Sequence, residues 1–353
     1  MLSGRLLDTR YVIRCVVSIP LLLTPITVAC KTIDTVDGAS QPSSVKENRT
    51  EQSLDGDSGG TLPQLPSRTG LPVGPNGLHY PLVPEEPGAI AALIAAIEEA
   101  VLNSQVVDQD LTAHAHQQQV IYRFLSHRPE LSQSVRARLD PRWHWVFDQH
   151  IAARREFLAM HRGPASSTLP AWRIQSPAPA SELLKAYRSA SAATGIDWTV
   201  LAAVNLVETG MGRIDGVSVA NAQGPMQFLP STWAEPGIGN GGDIRDPWDS
   251  IHAAARYLVR RGGLKDIREG LWGYNNSDHY GKAVLHYAAL LNREPLTYRS
   301  LYRWQIHYAS SAGDLWLNEG YAQETPVQVS DHLRHQPHSA PPTWPIRSEH
   351  LKH

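Results

Sequence analysis

The sequence contains almost no cysteine. Cys15 and Cys30 are the only two in 353 residues, and both lie near the N-terminus. This excludes a disulfide framework for the rest of the chain, which must be held together by its apolar core. No cysteine and histidine are spaced as zinc ligands are, so we expect neither a metal ion nor another cofactor.

An excess of charge of either sign is also lacking. Lysine and arginine together number 32, aspartate and glutamate number 34, and the formal net charge is −2. Proteins that bind nucleic acid through bulk charge usually carry a basic excess, so we expect no nucleic-acid partner.

Long apolar runs are scarce as well. The clearest covers residues 15–29, follows a short arginine-containing lead, and is shorter than the ~20 residues of a membrane-spanning helix. Residues 1–30 are therefore predicted to be an export signal. The run ends in Thr-Val-Ala-Cys, which resembles a bacterial lipobox with Thr27 in place of the usual aliphatic residue. This resemblance implies lipidation of Cys30 and anchoring to the outer face of the cytoplasmic membrane. Ordinary cleavage and a retained anchor are the alternatives, and all three place the domain outside the cytoplasm. With the lipidated form favoured, we expect an exported protein of the cell envelope.

Composition divides the rest of the chain into segments. Residues 31–86 are rich in proline, glycine and serine, which predicts a flexible linker that is either a tether or a passive spacer. Helical periodicity predicts a helical subdomain over residues 87–163 and a second helical domain over residues 180–321. Proline and histidine predict a disordered tail over residues 322–353. The fold class is therefore mainly α, with disordered tails.

Two groups of polar and aromatic residues have structural and functional interpretations. His144, His150, Arg154 and Arg155 lie in the helix predicted after Pro141, and we expect them to be surface or edge residues of an amphipathic helix rather than a site.

The second group is the aromatic run Tyr298, Tyr302, Trp304 and Tyr308. It lines a sugar groove in one interpretation and packs the C-terminal segment onto the domain in the other. Packing is favoured because aromatic side chains bury a large area.

One predicted helix carries the candidate chemistry. Asp197 is its predicted N-cap, and Gly210 ends it. Glu208 lies four residues after Val204 on the apolar stripe, so burial and the negative helix end are both expected to raise the pKa of its carboxyl. A carboxylic acid that stays protonated near neutral pH suits general acid catalysis. The alternative is a glutamate that faces water or pairs with Arg213.

A second motif follows the helix. Residues 224–233 read GPMQFLPSTW, with the amide of Gln227 set between Met226 and Phe228. Buried amides need hydrogen bonds, so Gln227 is expected to meet backbone groups or a bound ligand.

Three features in this order, Glu208-Thr209, the GPMQFLPSTW segment and Tyr274-Asn275, resemble soluble lytic transglycosylases. The pattern is similar to the actinobacterial lipoprotein type that is related to membrane-bound transglycosylase B, and it covers roughly residues 181–291. The resemblance implies a lysozyme-like, mainly helical domain. It also implies cleavage of the β-1,4 bond between N-acetylmuramic acid and N-acetylglucosamine in peptidoglycan, with a 1,6-anhydro end as product.

The resemblance also implies roles for individual residues. Glu208 matches the single catalytic glutamate, and the tyrosine of the Tyr-Asn pair is implied to orient its carboxyl. The implied substrate-binding residues are Ser218, Met226, Gln227, Tyr274 and Asn275. Gly273 and Asn276, which flank the Tyr-Asn pair, depart from the family pattern without removing a reacting group.

A second catalytic acid is missing near the motif. No aspartate or glutamate lies between Gly216 and Ala234, and the flanking Asp215 and Glu235 match no second catalytic acid. One carboxyl is therefore expected to make both proton transfers, with the substrate's own N-acetyl oxygen as nucleophile. Two alternatives stay open: a lysozyme-like muramidase that uses Asp215 or a more distant acid, and a non-catalytic lipoprotein that binds peptidoglycan.

Overall fold

The computed structural model describes residues 62–67, 70–160 and 163–342. Residues 1–30 and Cys30 lie outside these ranges, so the export signal and the lipidation stay predictions. Among the described residues, no helix combines the length and the apolar character that crossing a bilayer requires.

The described part is mainly helical, as predicted. Its α-helices are α1 (Pro87–Leu102), α2 (Leu111–Ser126), α3 (Pro129–Arg136), α4 (Pro141–Met160), α5 (Ala180–Thr194), α6 (Trp198–Thr209), α7 (Pro230–Trp233), α8 (Pro247–Arg260), α9 (Ile267–Asn275), α10 (Asp278–Arg293), α11 (Tyr298–Leu301) and α12 (Val329–His335). Proline opens α1, α3 and α4, a position where the missing N–H costs no hydrogen bond.

Three antiparallel pairs of short strands complete the described fold. They are β1 (Thr168–Leu169) with β6 (Val327–Gln328), β2 (Trp172–Ile174) with β3 (Ile214–Gly216), and β4 (Ile306–Ser310) with β5 (Gly313–Leu317). In the second pair Ile174 lies opposite Ile214, and in the third Ile306 lies opposite Leu317. None of these strands was predicted from the sequence.

The helices of the two predicted domains pack closely on one another. Helix α4 lies along α10, and α10 also packs against α6. The apolar core formed by α1–α4 includes Trp316 of β5, which is fully buried. A second core surrounds α6, and a third joins the strands. The segment from residue 87 therefore supports the domain that follows it.

The predicted flexible linker does not extend to residue 86. Tyr80, Leu82 and Val83 are buried, and the hydroxyl of Tyr80 donates to the carbonyl oxygen of Asp314 at 2.7 Å. These apolar side chains end the proline-rich stretch and anchor it on the first core. The prediction is wrong for this part, while residues 31–61 lie outside the described ranges.

The prediction of a disordered tail is also wrong for residues 322–342. Strand β6 pairs with β1, and α12 follows it directly. His332 is buried, and its Nε2 lies 3.0 Å from the hydroxyl of Ser339. Val329 is buried in the third core with Leu333 packed against that core, and these few aliphatic residues were outweighed in the composition by proline and histidine. Residues 343–353 lie outside the described ranges.

The aromatic run packs the chain, as favoured. The hydroxyls of Tyr298 and Tyr302 donate to the carbonyl oxygens of Ala180 and Ala178. Nε1 of Trp304 donates to Oε1 of Gln118 at 3.0 Å.

The expectation for the polar residues of α4 is wrong for His150. His150 is fully buried and stacks on Tyr122, with 4.2 Å between ring centroids. Arg154 is half-buried, as an edge residue is, and lines a cavity. The reason is that α4 has packing partners on two sides, α2 and α10.

Candidate active site

Glu208 occupies the last turn of α6 and is fully buried. The side chain of Asp197 caps the start of the helix, accepting from the backbone N–H of Thr199 at 2.8 Å. Gly210 ends the helix in a left-handed conformation, with φ 61°. Burial excludes the alternative in which Glu208 faces water. Arg213 is not its partner, since this guanidinium donates to the carbonyl oxygen of Tyr302 at 2.9 Å.

A tyrosine of α10 holds the Glu208 carboxyl. The hydroxyl of Tyr280 donates to Oε1 of Glu208 at 2.6 Å. Tyr280 is itself 1% exposed, so this hydrogen bond forms in a region screened from solvent. Sequence reasoning missed Tyr280, although one signal was available: it is a phenol on the apolar stripe of α10, and a buried hydroxyl needs a partner.

Tyr274 contacts the GPMQ segment, residues 224–227. Its hydroxyl donates to the carbonyl oxygen of Met226 at 2.7 Å, and the role implied for it, orienting the Glu208 carboxyl, stays a prediction. The rings of Tyr274 and Tyr280 lie parallel, with 6.3 Å between centroids and 3° between planes. Asn275, the last residue of α9, is 7% exposed.

The GPMQ segment is tied to the end of α6 by the residue after Glu208. The hydroxyl of Thr209 donates to the carbonyl oxygen of Pro225 at 2.7 Å. Gly224 adopts φ +72°, and a Cβ there would lie 1.9 Å from the carbonyl oxygen of Ile244. The segment passes so close to a neighbouring backbone that only glycine fits.

Gln227 makes a hydrogen bond to the backbone, which was one of the two expectations for its side chain. It has φ 50°, and its Nε2 donates to the carbonyl oxygen of Gly224 at 3.0 Å. Its Oε1 is buried and has no hydrogen-bond partner among the described residues. This oxygen can accept a hydrogen bond from a ligand or a water molecule, which fits a position beside a polar substrate.

Ser218 shapes a turn. Its hydroxyl oxygen accepts from the backbone N–H groups of Ala220 and Ala222 at 3.2 and 3.0 Å. The hydroxyl proton is not used in these contacts, so the predicted substrate-binding role stays a prediction.

A cavity of about 90 Å³ lies beside Glu208. Its charged lining groups are Glu208, Arg123 and Arg154, and aromatic walls come from Phe157, Trp172 and Trp304. Glu208 is the only carboxylic acid among its lining residues in the part of the chain that the structure describes. None of the predicted substrate-binding residues lines this cavity; Met226 and Gln227 lie in the segment that Thr209 ties to α6. The two arginines come from α2 and α4, outside the motif that drew attention to Glu208.

The arginine on α2 is already paired. Nε of Arg123 donates to Oδ2 of Asp314 at 2.6 Å, and Nη2 donates to Oδ1. Nδ1 of His307 lies 3.5 Å from the same carboxylate. Burial alone would raise the pKa of Asp314, but the Arg123 guanidinium holds this pKa well below its usual range. Asp314 is therefore ionised and shared by two neighbours.

The candidate second acids have other partners. Asp215 pairs with Arg173 and accepts from Nη1 of Arg245 at 2.7 Å. Its neighbour in β3, Ile214, lines the Glu208 cavity, and successive side chains of a strand point to opposite faces. Asp215 therefore faces away from this cavity. Glu235 pairs with Arg260 at 2.8 Å.

The central part of the chain matches one protein-family model. Residues 185–288 match the family model described as Transglycosylase SLT domain. The matched segment contains Glu208, the GPMQ segment, Tyr274 and Tyr280. It lies in a mainly helical fold, and its domain is lysozyme-like. No curated protein and no solved structure gave a significant match.

Proposed function

We propose that the chain is a peptidoglycan lytic transglycosylase. It cleaves the β-1,4 bond between N-acetylmuramic acid and N-acetylglucosamine and closes a 1,6-anhydro ring on the muramic acid. The match of residues 185–288 supports a domain that acts on peptidoglycan. The finer assignment rests on the surroundings of Glu208.

One observation carries this assignment: Glu208 is a buried carboxyl held by Tyr280, and no other carboxylic acid lines its cavity in the described ranges. Most glycosidases divide the work between two carboxylates. A lone carboxyl requires that the same group make both proton transfers and that the substrate supply the nucleophile.

The proposed reaction has two steps. Glu208 first protonates the bridging oxygen, while the N-acetyl oxygen of the muramic residue attacks C1 and the glycosidic bond breaks. The Glu208 carboxylate then takes the proton of the C6 hydroxyl as O6 attacks C1 and displaces the N-acetyl oxygen. Acid–base help of this kind contributes ~10²–10⁴-fold to the rate. Tyr280 fixes Oε1, which leaves Oε2 as the oxygen that carries the proton.

Mass analysis of products tests the proposal. Purified peptidoglycan digested by the protein is expected to release fragments with anhydro ends, which are lighter by one water than hydrolysed fragments and resist borohydride reduction. Reducing ends alone would instead support the muramidase. That alternative has less support because Asp215 faces away from the cavity and pairs with two arginines.

Glu208→Gln separates an enzyme from a binding protein. The variant is expected to lose at least ~10²-fold in rate. Glu235→Gln is the matched control, since its side chain is 44% exposed and pairs only with Arg260 among the described residues. Equal release of glycan by the native chain and Glu208→Gln would support the non-catalytic lipoprotein.

Export and lipidation at Cys30 complete the proposal. They rest on the sequence of residues 1–30 alone, which has a signal-like charge and apolar pattern. A tagged full-length chain expressed with a labelled fatty acid is expected to carry the label and to sediment with membranes. Cys30→Ser should lose both properties, whereas Cys15→Ser should keep them.

A further inference from the structure

Arg154 has a buried guanidinium nitrogen with no polar partner. The residue is partly exposed as a whole, but its Nε is buried and makes no hydrogen bond to any described residue. The guanidinium carbon lies 5.5 Å from the centroid of the Phe157 ring. Asp314, whose charge acts on Arg154, already accepts two hydrogen bonds from Arg123.

The charge of Arg154 persists at neutral pH. Burial and the repulsion of Arg123 lower its pKa to about 10, which still leaves the guanidinium protonated. Charges are rarely buried without compensation, because losing hydration is costly. A cation whose buried Nε lacks a hydrogen-bond partner among the described residues therefore points to an anion that arrives from outside the fold.

The position of Arg154 identifies where this anion comes from. Arg154 and Glu208 line the same cavity, so a group that reaches Arg154 belongs to a molecule bound at the proposed catalytic carboxyl. The cavity volume of about 90 Å³ is smaller than the ~150 Å³ that accommodates a benzene ring. It admits a group of a few heavy atoms rather than a sugar ring.

Two other polar side chains of the cavity, Arg123 and Gln119, already have partners. Nε2 of Gln119 donates to the carbonyl oxygen of Gln305, and its Oε1 accepts from the backbone N–H of the same residue. Of the two arginines that line the cavity, Arg154 is the one whose Nε lacks an acceptor among the described residues. The planar guanidinium group matches the two oxygens of a carboxylate.

We propose that Arg154 binds a carboxylate of the glycan substrate beside Glu208. The proposal rests on the function proposed above, and it selects the lactyl carboxylate of a muramic residue without a stem peptide. The lactyl group has only a few heavy atoms, as the cavity requires. A stem peptide turns that carboxylate into an amide, and a peptide carboxylate would need its chain to thread the cavity.

The native protein provides the first test. Three substrates are compared: strands stripped of peptides by an amidase, the same strands with their carboxylates converted to methylamides, and strands that keep their peptides. The stripped strands are expected to have a kcat/KM roughly 10- to 100-fold above that of the methylamides, as for a hydrogen bond to a charged group. Equal values for stripped and methylamide strands would overturn the proposal.

Arg154→Gln should remove this preference selectively. The ratio of its kcat/KM on stripped strands to that on methylamides is expected to fall to about one. Arg155→Gln, on the exposed side of α4, is the control that keeps the preference. Equal losses on stripped and methylamide strands would mean that Arg154 positions Glu208 or supports the fold, and would overturn the proposal. An Arg154-dependent preference for peptide-bearing strands would overturn the assignment to the lactyl carboxylate.

A binding measurement separates the proposal from the function on which it rests. Calorimetry with the Glu208→Gln protein and stripped strands needs no turnover. Affinity that falls about tenfold or more on adding Arg154→Gln supports the carboxylate site even if the native chain cleaves nothing. Cleavage with anhydro products but no Arg154-dependent affinity supports the transglycosylase and overturns the site.

Discussion

The hydroxyl of Tyr280 donates to Oε1 of Glu208 across 2.6 Å, and both side chains are buried. Helices α10 and α6 supply the two groups, so helix packing rather than a flexible loop sets the orientation of the carboxyl. The second tyrosine, Tyr274, lies parallel to Tyr280 and holds the Met226 carbonyl. Tyr280 thus contacts the acid, and Tyr274 contacts the GPMQ segment.

Tyr280→Phe should lower kcat more than Tyr274→Phe does. The first change removes the hydrogen bond that fixes Oε1 of Glu208. It is expected to lower kcat roughly tenfold or more, because this hydrogen bond is made to a carboxylate once Glu208 has given up its proton. The second removes the hydrogen bond to Met226 and is expected mainly to raise KM. Initial rates on purified strands measure both. A larger kcat loss in Tyr274→Phe would instead support the role implied by family resemblance.

The helices and the catalytic helix could be predicted from the sequence. Apolar spacing, the Asp197 cap and the stop at Gly210 are local signals, and the structure contains all three. The strands could not be predicted, because segments of two to five residues are too short to establish an alternating pattern.

The surroundings of Glu208 were harder to predict than Glu208 itself. Tyr274 and Tyr280 lie six positions apart, and only the packing of α10 on α6 decides which hydroxyl meets Oε1. Arg154 occupies a helix with neighbours on two sides, so the rule that polar residues face water fails for α4. Contacts between distant segments decide both cases.

Asp215→Asn should leave the reaction nearly unchanged. The side chain faces away from the Glu208 cavity, and its two ion pairs with Arg173 and Arg245 are partly exposed, where such pairs contribute about 0–1 kcal/mol to stability. We expect kcat/KM on peptidoglycan within about threefold of native. A loss of the ~10² or more typical of a missing acid–base group, with the unfolding midpoint unchanged, would instead favour a two-carboxylate muramidase.

Gly224→Ala should be more harmful than Gly241→Ala. Both glycines have a left-handed φ, +72° and +78°, but a Cβ at Gly224 meets Ile244 at 1.9 Å and one at Gly241 meets nothing within 4 Å. Gly241→Ala is expected to cost about 1 kcal/mol from the backbone alone. Gly224→Ala must also move the GPMQ segment, so we expect at least ~3 kcal/mol in stability and a large loss of activity. Urea unfolding and initial rates measure both effects. Equal losses of stability in the two variants would show that the left-handed φ alone, and not the close approach to Ile244, requires glycine at position 224.

Glu98→Gln should change how stability depends on pH. Burial raises the pKa of Glu98 from 4.5 to about 7, against hydrogen bonds from Tyr122 and Gln118 that lower it. Between these values the folded state holds a proton that the unfolded state releases, so this group reduces stability as pH rises from 4.5 to 7. Relative to native, the glutamine variant is expected to gain about 3 kcal/mol across that window. Urea unfolding at several pH values measures the difference, and a constant difference would contradict the buried acid.

His150→Phe should change the pH dependence with the opposite sign. Burial lowers the pKa of His150 from 6.5 to about 3, and neither ring nitrogen has a partner among the described residues. Below pH 6.5 the imidazole therefore binds a proton in the unfolded state but not in the folded state, so the free energy of unfolding falls as pH drops. In the native protein this pH dependence opposes that of Glu98 between pH 4.5 and 6.5. The summed contribution of the two groups to the free energy of unfolding is therefore nearly constant in this range.

The single variants resolve the two opposing slopes. Phenylalanine does not ionise and keeps the stacking on Tyr122, so His150→Phe is expected to gain about 3 kcal/mol over native between about pH 6.5 and 4. Glu98→Gln at the same pH values should instead reveal the histidine slope alone. Because the two groups contribute through separate protonation equilibria, the double variant should lose both slopes and differ from native by a nearly constant amount within the shared window. A native curve that already falls steeply between pH 6.5 and 4.5, with His150→Phe parallel to it, would mean that other groups set the acid stability and that His150 is protonated in the folded state.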